Sequence, residues 1–317
     1  MTATGPNPQA WHDTSVVVTG GAGFLGSVLV AQLQGLGADV RSVSSNQHDL
    51  RTADGARAAL TGADVVFHLA ARVGGIGFNL RNPAILAHDN LLLGAQVFEQ
   101  ARLAEVGRLV AVSSVCAYPE TPSLPFDENE LWSGYPEPSN APYGIAKRVL
   151  GTLSEAYARQ HGFRSCTPIL TNLYGPGDHD DPEDSHVIPA LIRKFRQAQG
   201  DVVIWGTGRP TRDFLYVDDA ARALILAAER LAISAEPFAV NIGSGSERSI
   251  AEVVALISRL LDFQGEVRWD TERPDGQPRR RLDTSAAREL LGFEPQVTLE
   301  QGLSLTVAAF EDSPSTR

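Results

Sequence analysis

Ser15-Val-Val-Val-Thr19 runs straight into Gly20-Gly-Ala-Gly23-Phe-Leu-Gly26, and the helical pattern Val28 to Leu33 follows, with Gly35 as its stop. A short run of β-branched residues predicts a buried parallel strand. The glycines then permit a sharp turn and let the backbone approach a pyrophosphate at a helix N-terminus. Such a fingerprint carries meaning because strand, turn and helix come in that order. Gly20, Gly23 and Gly26 are therefore candidate cofactor-binding positions.

Outward from this unit the alternation continues. Ala38–Val43, Asp64–His68 and Arg108–Ser113 read as strands, separated by helical patterns at Ala53–Leu60 and Pro83–Leu103. Asn82-Pro83 suits the cap and first position of the latter helix. Alternating strands and helices predict a doubly wound parallel Rossmann sheet. After Tyr174 the chain turns polar and rich in Pro and Gly as far as Ser185. Further elements follow: a helix His186–Gln199, strands Val202–Trp205 and Phe214–Val217, and an apolar-striped helix Asp218–Leu231. Phe238–Ile242 reads as a strand able to rejoin the first sheet. Ser249-Ile-Ala-Glu252 has the form of a capping box opening the helix Ile250–Leu261. The expected α/β architecture is a dinucleotide-binding domain of residues 1–172 plus 217–242. A smaller C-terminal α/β substrate-binding domain would hold 173–216 plus 243–317. Only the ends, Met1–Trp11 and Ser313–Arg317, are expected to be loose.

Composition narrows the classes. Of 317 residues, 43% are hydrophobic and 21% charged, as in a soluble globular enzyme. A formal net charge of −11 argues against general binding of nucleic acid or anionic membranes. The first fifteen residues show no signal-peptide pattern, and no stretch approaches the roughly 18 apolar residues of a membrane span. Cys116 and Cys166 cannot build a disulfide framework and suit a reducing cytoplasm; their spacing fits no zinc motif. No metal is expected, and the acidic loop His179-Asp-Asp181 with Glu183-Asp184 reads as solvated.

Chemistry enters at Tyr143-Gly-Ile-Ala-Lys147, which opens a helical stretch to His161. Positions i and i+4 share a helix face. A cation beside a phenol stabilises phenolate and draws the tyrosine pKa toward working pH. Tyr143 is thus a candidate acid/base for interconverting a carbonyl and an alcohol, and Ser114 could hydrogen-bond the same oxygen. Lysine occurs only at 147 and 194, every other basic side chain being arginine. The end of the second strand, Arg41-Ser-Val-Ser44-Ser-Asn-Gln47, has no carboxylate to repel a 2′-phosphate, and its hydroxyls, amides and Arg41 could accept one. NADP is therefore expected over NAD.

Taken together, Thr19-Gly20-x-x-Gly23-x-x-Gly26, Ser114 and Tyr143-x-x-x-Lys147 resemble the signature of extended short-chain dehydrogenases/reductases acting on nucleotide sugars. Further segments look like the GDP-L-fucose synthases of that family. They are His68-Leu-Ala-Ala-Arg-Val-Gly-Gly-Ile76, Ser113-Ser-Val-Cys116-Ala-Tyr-Pro119, Thr171-Asn-Leu-Tyr-Gly-Pro176 and Ser185-His-Val-Ile-Pro-Ala-Leu-Ile-Arg193. Val203-Ile-Trp-Gly206, Arg212-Asp-Phe-Leu-Tyr-Val-Asp-Asp219 and Pro274-Asp-Gly-Gln-Pro-Arg-Arg280 join them. The resemblance runs from about Ser15 to Leu305. The turn at Gly20 departs from many fucose synthases, which carry a basic residue there for the 2′-phosphate.

The resemblance implies a nucleotide-linked 4-keto-6-deoxy sugar as substrate, 3,5-epimerisation, then reduction at carbon 4 by NADPH. Cys116 and His186 match the family's proton-transfer pair, with the face each serves left open. Without that match, a lone cysteine after a strand would read as packing. Lys147 would bind the nicotinamide ribose. The resemblance also assigns Phe24, Leu25, Ser44, Asp49, Leu69, Ala70, Ala71, Ser113, Asn172, Leu173 and His186 to the cofactor, Asp49 meeting the adenine. Asn172, Val187, Lys194, Trp205, Arg212, Asp275 and Arg280 would contact the substrate. Cys166 reads as core, His68 as packing against the cofactor wall, and His12, His48, His88, His161 and His179 as surface. A homodimer through the apolar faces of Pro83–Leu103 and Tyr143–His161 is expected. Two alternatives stand beside this reading. One is an epimerase without net reduction or for another nucleotide sugar. The other is a non-catalytic NADP-binding sensor or scaffold.

Overall fold

The computed structural model describes residues 5–74, 76–178, 185–273 and 275–312. In chain order the first elements are β1 (Ser15–Thr19), α1 (Phe24–Gly35), β2 (Asp39–Val43), α2 (Ala53–Leu60) and β3 (Val65–His68). Next come α3 (Ile76–Arg81), α4 (Pro83–Leu103), β4 (Arg108–Ala111), β5 (Ser113–Ser114), α5 (Ala141–His161) and β6 (Ser165–Leu170). The chain continues with β7 (Asn172–Tyr174), α6 (Val187–Gln197), β8 (Val202–Trp205), β9 (Thr211–Tyr216), α7 (Val217–Ile233) and β10 (Phe238–Ile242). It closes with β11 (Glu247–Ser249), α8 (Ile250–Leu260), β12 (Val267–Asp270), β13 (Arg279–Arg280), α9 (Ser285–Leu291) and α10 (Leu299–Asp312).

The main sheet runs β10-β6-β4-β3-β1-β2, with β5 also on β6, and every pairing in it is parallel. Parallel strands must be covered on both faces, and β1, β3 and β6 are accordingly buried at nearly every position. One face packs Val16, Val18 and Phe67 against Leu29 and Leu33 of α1 and the alanine-rich α7. The opposite face packs Val17 and Val66 against α2, Val97 and Phe98 of α4 and Leu150 of α5. This is the doubly wound Rossmann arrangement. β10 returns to pair with β6, as its sequence suggested.

Beside it lie two smaller sheets. β9 pairs with β11, β13 and β7, and β8 pairs with β12. Their core gathers Ile188, Leu191 and Phe195 of α6, Val253 and Ile257 of α8, and Leu303 of α10. The capping box at Ser249 and Glu252 is present.

Two expectations are corrected. The strand from Arg108 does not run unbroken to Ser113. It stops at Ala111, and Val112 leaves the ladder because its carbonyl is taken by a side chain described below. The N-terminal stretch is also not loose up to Trp11. Trp11 is fully buried, its indole N–H donates to Glu229 at 2.7 Å, and the Asn7 N–H donates to the same carboxylate at 2.8 Å. A large aromatic with a satisfied N–H repays ordering of the strap. Residues 313–317 lie outside the described residues. Asn82 and Pro83 take the cap and first position of α4, as read, although the Asn82 amide donates back to Phe78 O and makes no side-chain cap bond.

Trp11→Ala should lower unfolding free energy by about 3–5 kcal/mol, the range for emptying a large aromatic site. Urea denaturation should show a lower midpoint with an unchanged slope.

Candidate active site

Parallel strands deliver their C-terminal ends to one edge, where a ligand can lie across the loops. Gly20 follows β1 with φ +72°, a region that L side chains avoid. A Cβ on Gly26, in the first turn of α1, would collide with the Gly20 carbonyl oxygen. Gly23 is the N-cap of α1 and has no side chain to cap it, so the N-terminal N–H groups at Phe24 and Leu25 are left for an acceptor. The glycine cradle and bare helix start fit a dinucleotide pyrophosphate.

Across the cradle, the Leu69 N–H donates to Thr19 O at 3.2 Å and the Ala70 N–H to Thr19 Oγ1 at 3.2 Å. Thr19 Oγ1 also meets His68 Nδ1 at 2.8 Å. Burial, helped by the nearby Lys147 charge, pushes His68 down to about 3, so this imidazole is neutral. His68 therefore braces the wall, and Ala71 continues it.

Just after β2, the Ser44 N–H and hydroxyl both meet the Gln47 side-chain oxygen, at 3.0 and 3.2 Å. Asp49 is held by Arg51, which donates to both carboxyl oxygens at 2.9 Å and reaches Asp89 at 3.0 Å. That hydrogen bonding keeps the Asp49 carboxyl below its usual range. Arg41 does not serve this turn, because its guanidinium donates to Thr61 O at 2.8 Å.

The centre is where α5 meets β4 and β5. Lys147 is buried, and its ammonium donates to Val112 O at 2.9 Å. The Ser113 hydroxyl donates to Lys147 O at 3.1 Å, so that side chain serves the helix rather than a ligand. Ser114 lies within hydrogen-bonding reach of the Tyr143 phenol and also accepts from the Cys116 N–H at 3.3 Å. A Cβ on Gly144 would strike the Cys116 carbonyl, so glycine is what lets α5 lie this close. One expectation is corrected here. Lys147 Nζ sits 5.9 Å from the Tyr143 ring centre and does not draw the phenol down. Burial, then the Cys116 thiol, push Tyr143 above its usual range, and only Ser114 opposes them. Burial likewise lowers Lys147 to about 8.

On the far side of Cys116, Arg280 Nη1 is 4.0 Å from its sulfur. Arg280 donates to the Gln277 side chain, and Arg212 donates to Gln277 O and Thr211 O, both at 2.7 Å. Burial and the Arg280 charge push Arg212 down to about 10. Lys194, Trp205 and Asp275 form a second group: Lys194 Nζ donates to Val203 O at 3.1 Å and lies 5.0 Å from the Trp205 ring. Asp275 accepts from Thr207 N at 2.6 Å. Asn172 donates to Asp213 O at 2.9 Å; Leu173 follows it in β7, and Val187 opens α6.

His186 stands apart. No hydrogen bond joins it to Cys116 or Tyr143 among the described residues. Its Nδ1 is 2.9 Å from Asp178 Oδ1, and that hydrogen bond raises its pKa. Asp178 and Gln277 were missed from the sequence. The signal available for Asp178 was a carboxylate in the turn Gly175-Pro-Gly-Asp178, shortly before the histidine. Cys166 is core, as read; His12, His88 and His161 are exposed and His48 partly so. His179 and its acidic neighbours up to Asp184 lie outside the described residues. Among the described residues no helix is long and apolar enough to cross a membrane.

A glycine cradle at a parallel-sheet edge, with a Ser/Tyr/Lys set beside it, defines a dinucleotide-dependent enzyme. The chain belongs to the NAD dependent epimerase/dehydratase family, whose sequence model matches residues 16–243. Among curated relatives it is 39% identical to the probable GDP-L-fucose synthase 1 of Oryza sativa subsp. japonica, over 91% of this chain and 89% of that one. It is 38% identical to the GDP-L-fucose synthase of Escherichia coli (strain K12), over 93% and 96%. A solved GDP-L-fucose synthetase from Naegleria fowleri bound to NADP superposes with a TM-score of 0.81 at 28% identity, over 95% of each chain. Within the family, the chain thus sits among the GDP-L-fucose synthases.

Two lysines make one consequence easy to read. In protein labelled at lysine Cε with ¹³C, one resonance should titrate near pH 8 and vanish in Lys147→Met. Burial disfavours the ammonium, so the folded state sheds its proton before the unfolded chain does. Lys147 should thus contribute stability that rises between pH 8 and the ordinary lysine value of 10.5. A single resonance pair titrating together near 10.5 would contradict the burial.

Proposed function

We propose that the enzyme converts GDP-4-keto-6-deoxy-D-mannose to GDP-L-fucose, or a close analogue, by 3,5-epimerisation and then reduction of the 4-keto group with NADPH. The observation that supports this most is the placing of Cys116. Its thiol is 4.0 Å from Arg280 and close enough to Tyr143 to raise the phenol's pKa, so a proton-transfer group is near the groups that would hold a ketone oxygen.

A ketone at carbon 4 acidifies the hydrogens on carbons 3 and 5. Inversion needs a base on one face and an acid on the other, and Cys116 and His186 take these roles. Thiol and imidazole both exchange protons near neutrality. Tyr143 donates the proton to oxygen 4, with Ser114 hydrogen-bonding the same oxygen. Lys147 would hold the nicotinamide ribose. Gly20, Gly23 and Gly26 would hold the dinucleotide, whose chemistry when bound would be to supply the hydride. Burial and then the Arg280 charge disfavour the Arg212 guanidinium, a condition that a diphosphate would relieve.

NADP is favoured by the solved NADP-bound relative and by Asp49, whose charge is already taken by Arg51. The main sheet would serve the cofactor (1–172 plus 217–242) and the smaller sheets the sugar nucleotide (173–216 plus 243–317). α4 and α5 pack side by side, and α4 exposes Ile85, Leu91 and Leu103, which supports a homodimer through this face. Two free cysteines suit the cytoplasm.

In heavy water, GDP-4-keto-6-deoxy-D-mannose with NADPH should give stoichiometric NADPH oxidation and deuterium at carbons 3 and 5. Tyr143→Phe should slow reduction by about 10²- to 10⁴-fold, the usual worth of a positioned acid. Cys116→Ser should suppress exchange first. No oxidation and no deuterium would refute the substrate; deuterium without oxidation would mean an epimerase only.

A further inference from the structure

We propose that Asp178 is a positioning residue for His186, fixing Nδ1 as the hydrogen-bearing nitrogen and leaving Nε2 to the sugar. The inference rests on the reading of His186 as one of the two proton-transfer groups. Asp178 ends the turn that leaves β7; Gly177 has φ +81°, and the Asp178 N–H donates to Gly175 O at 3.3 Å. Its side chain is 1% exposed, while that of His186 is 65% exposed. Both carboxyl oxygens lie within hydrogen-bond distance of Nδ1, at 2.9 and 3.2 Å. A carboxylate oxygen accepts, so Nδ1 donates, and the tautomer follows. A buried acceptor thus holds one end of an open ring, as outer partners do for other working histidines.

The backbone makes the choice sharper. His186 is the N-cap residue of α6, yet its side chain makes no cap bond; the ring is turned to Asp178. The hydrogen bond to Asp178 is the main cause that raises the His186 pKa, and it prevails over the partial burial that lowers it. During one inversion Nε2 takes the proton from a carbon beside the ketone, the C–H electron pair moves into the enolate, and the Cys116 thiol gives a proton to the opposite face. At the second carbon the roles exchange, the thiolate taking a proton and the imidazolium giving one, so that both groups end as they began. The Nδ1 hydrogen stays on the ring throughout, and the ring's positive charge is matched by Asp178.

Asp178→Asn keeps an acceptor and removes the charge. Deuterium exchange at carbons 3 and 5 should fall about 10- to 100-fold, the usual cost of losing such a partner. First-turnover hydride transfer from GDP-L-fucose to NADP⁺, which needs no inversion, should stay near the wild-type rate. Asp178→Glu, which restores the charge, should recover exchange. Equal loss of both half-reactions in a folded Asp178→Asn, or no loss of exchange, would overturn the proposal. Should the wild type turn over neither sugar, the function reading fails, and ¹⁵N spectra of the His186 ring decide the dyad alone. A slowly exchanging Nδ1–H in the wild type that is lost in Asp178→Ala supports it. The same spectrum without that signal refutes it. Those wild-type spectra decide equally if either variant does not fold.

Discussion

A buried ammonium resting on one backbone carbonyl holds this site together. Lys147 reaches Val112 O, and one residue on, the Ser113 hydroxyl reaches back to Lys147 O. Helix α5 is therefore fastened to the sheet at two consecutive residues. An uncompensated ammonium in such a place is costly, which is why Val112 leaves the strand ladder to meet it. Val112 still spends its N–H on His68 O, so the break in β4 stays narrow. The phenol one turn earlier on α5 is thereby fixed opposite Ser114. Gly144 lets the Cys116 turn press against the same helix. Serine, tyrosine, lysine and thiol are thus gathered at one junction of helix and sheet.

The sugar-side residues are registered to that body through another buried group. Asp213 is fully buried in β9, and its carboxyl accepts from the Ser244 N–H and hydroxyl and from the Gly245 N–H. Its own carbonyl accepts from Thr171 and Asn172 at the end of β6. A carboxyl so enclosed is tolerated because its oxygens are satisfied, although burial still raises its pKa. Arg212, next along β9, then meets the segment 275–280, which carries Asp275 at one end and Arg280 at the other. Gln277 touches both arginines and sets their spacing.

Much of this was legible in the sequence, for identifiable reasons. The strand–glycine–helix unit and the apolar runs of β1, β3 and β6 report burial on two faces, which is a property of neighbouring residues. The capping box at Ser249 is equally local. What could not be read depends on contacts distant in the chain. Trp11 looked like a loose end because its partner, Glu229, is far along the chain. The break at Val112 is invisible without knowing where Lys147 points. Arg41 had the right charge for a phosphate and the wrong direction, since strand alternation sends it toward the end of α2. The pull of Lys147 on the Tyr143 phenol also failed as a local inference. Spacing puts the two on one helix face but says nothing of burial, and burial governs the phenol here.

The two proton-transfer candidates are held by different means, and that difference bears on how inversion at two carbons can occur at one site. Cys116 is set by backbone: a short helical turn capped by Ser114 and pressed onto α5, with little freedom to reorient. His186 is set by a side chain, through its hydrogen bond to Asp178. A rigid thiol and a tethered, open imidazole suit a substrate that must present first one carbon and then its neighbour across the ketone. In the proposed reaction, the fixed group would define where the sugar ring sits. The tethered one can follow the proton without losing its tautomer, because the carboxylate that aims it also balances the charge it gains.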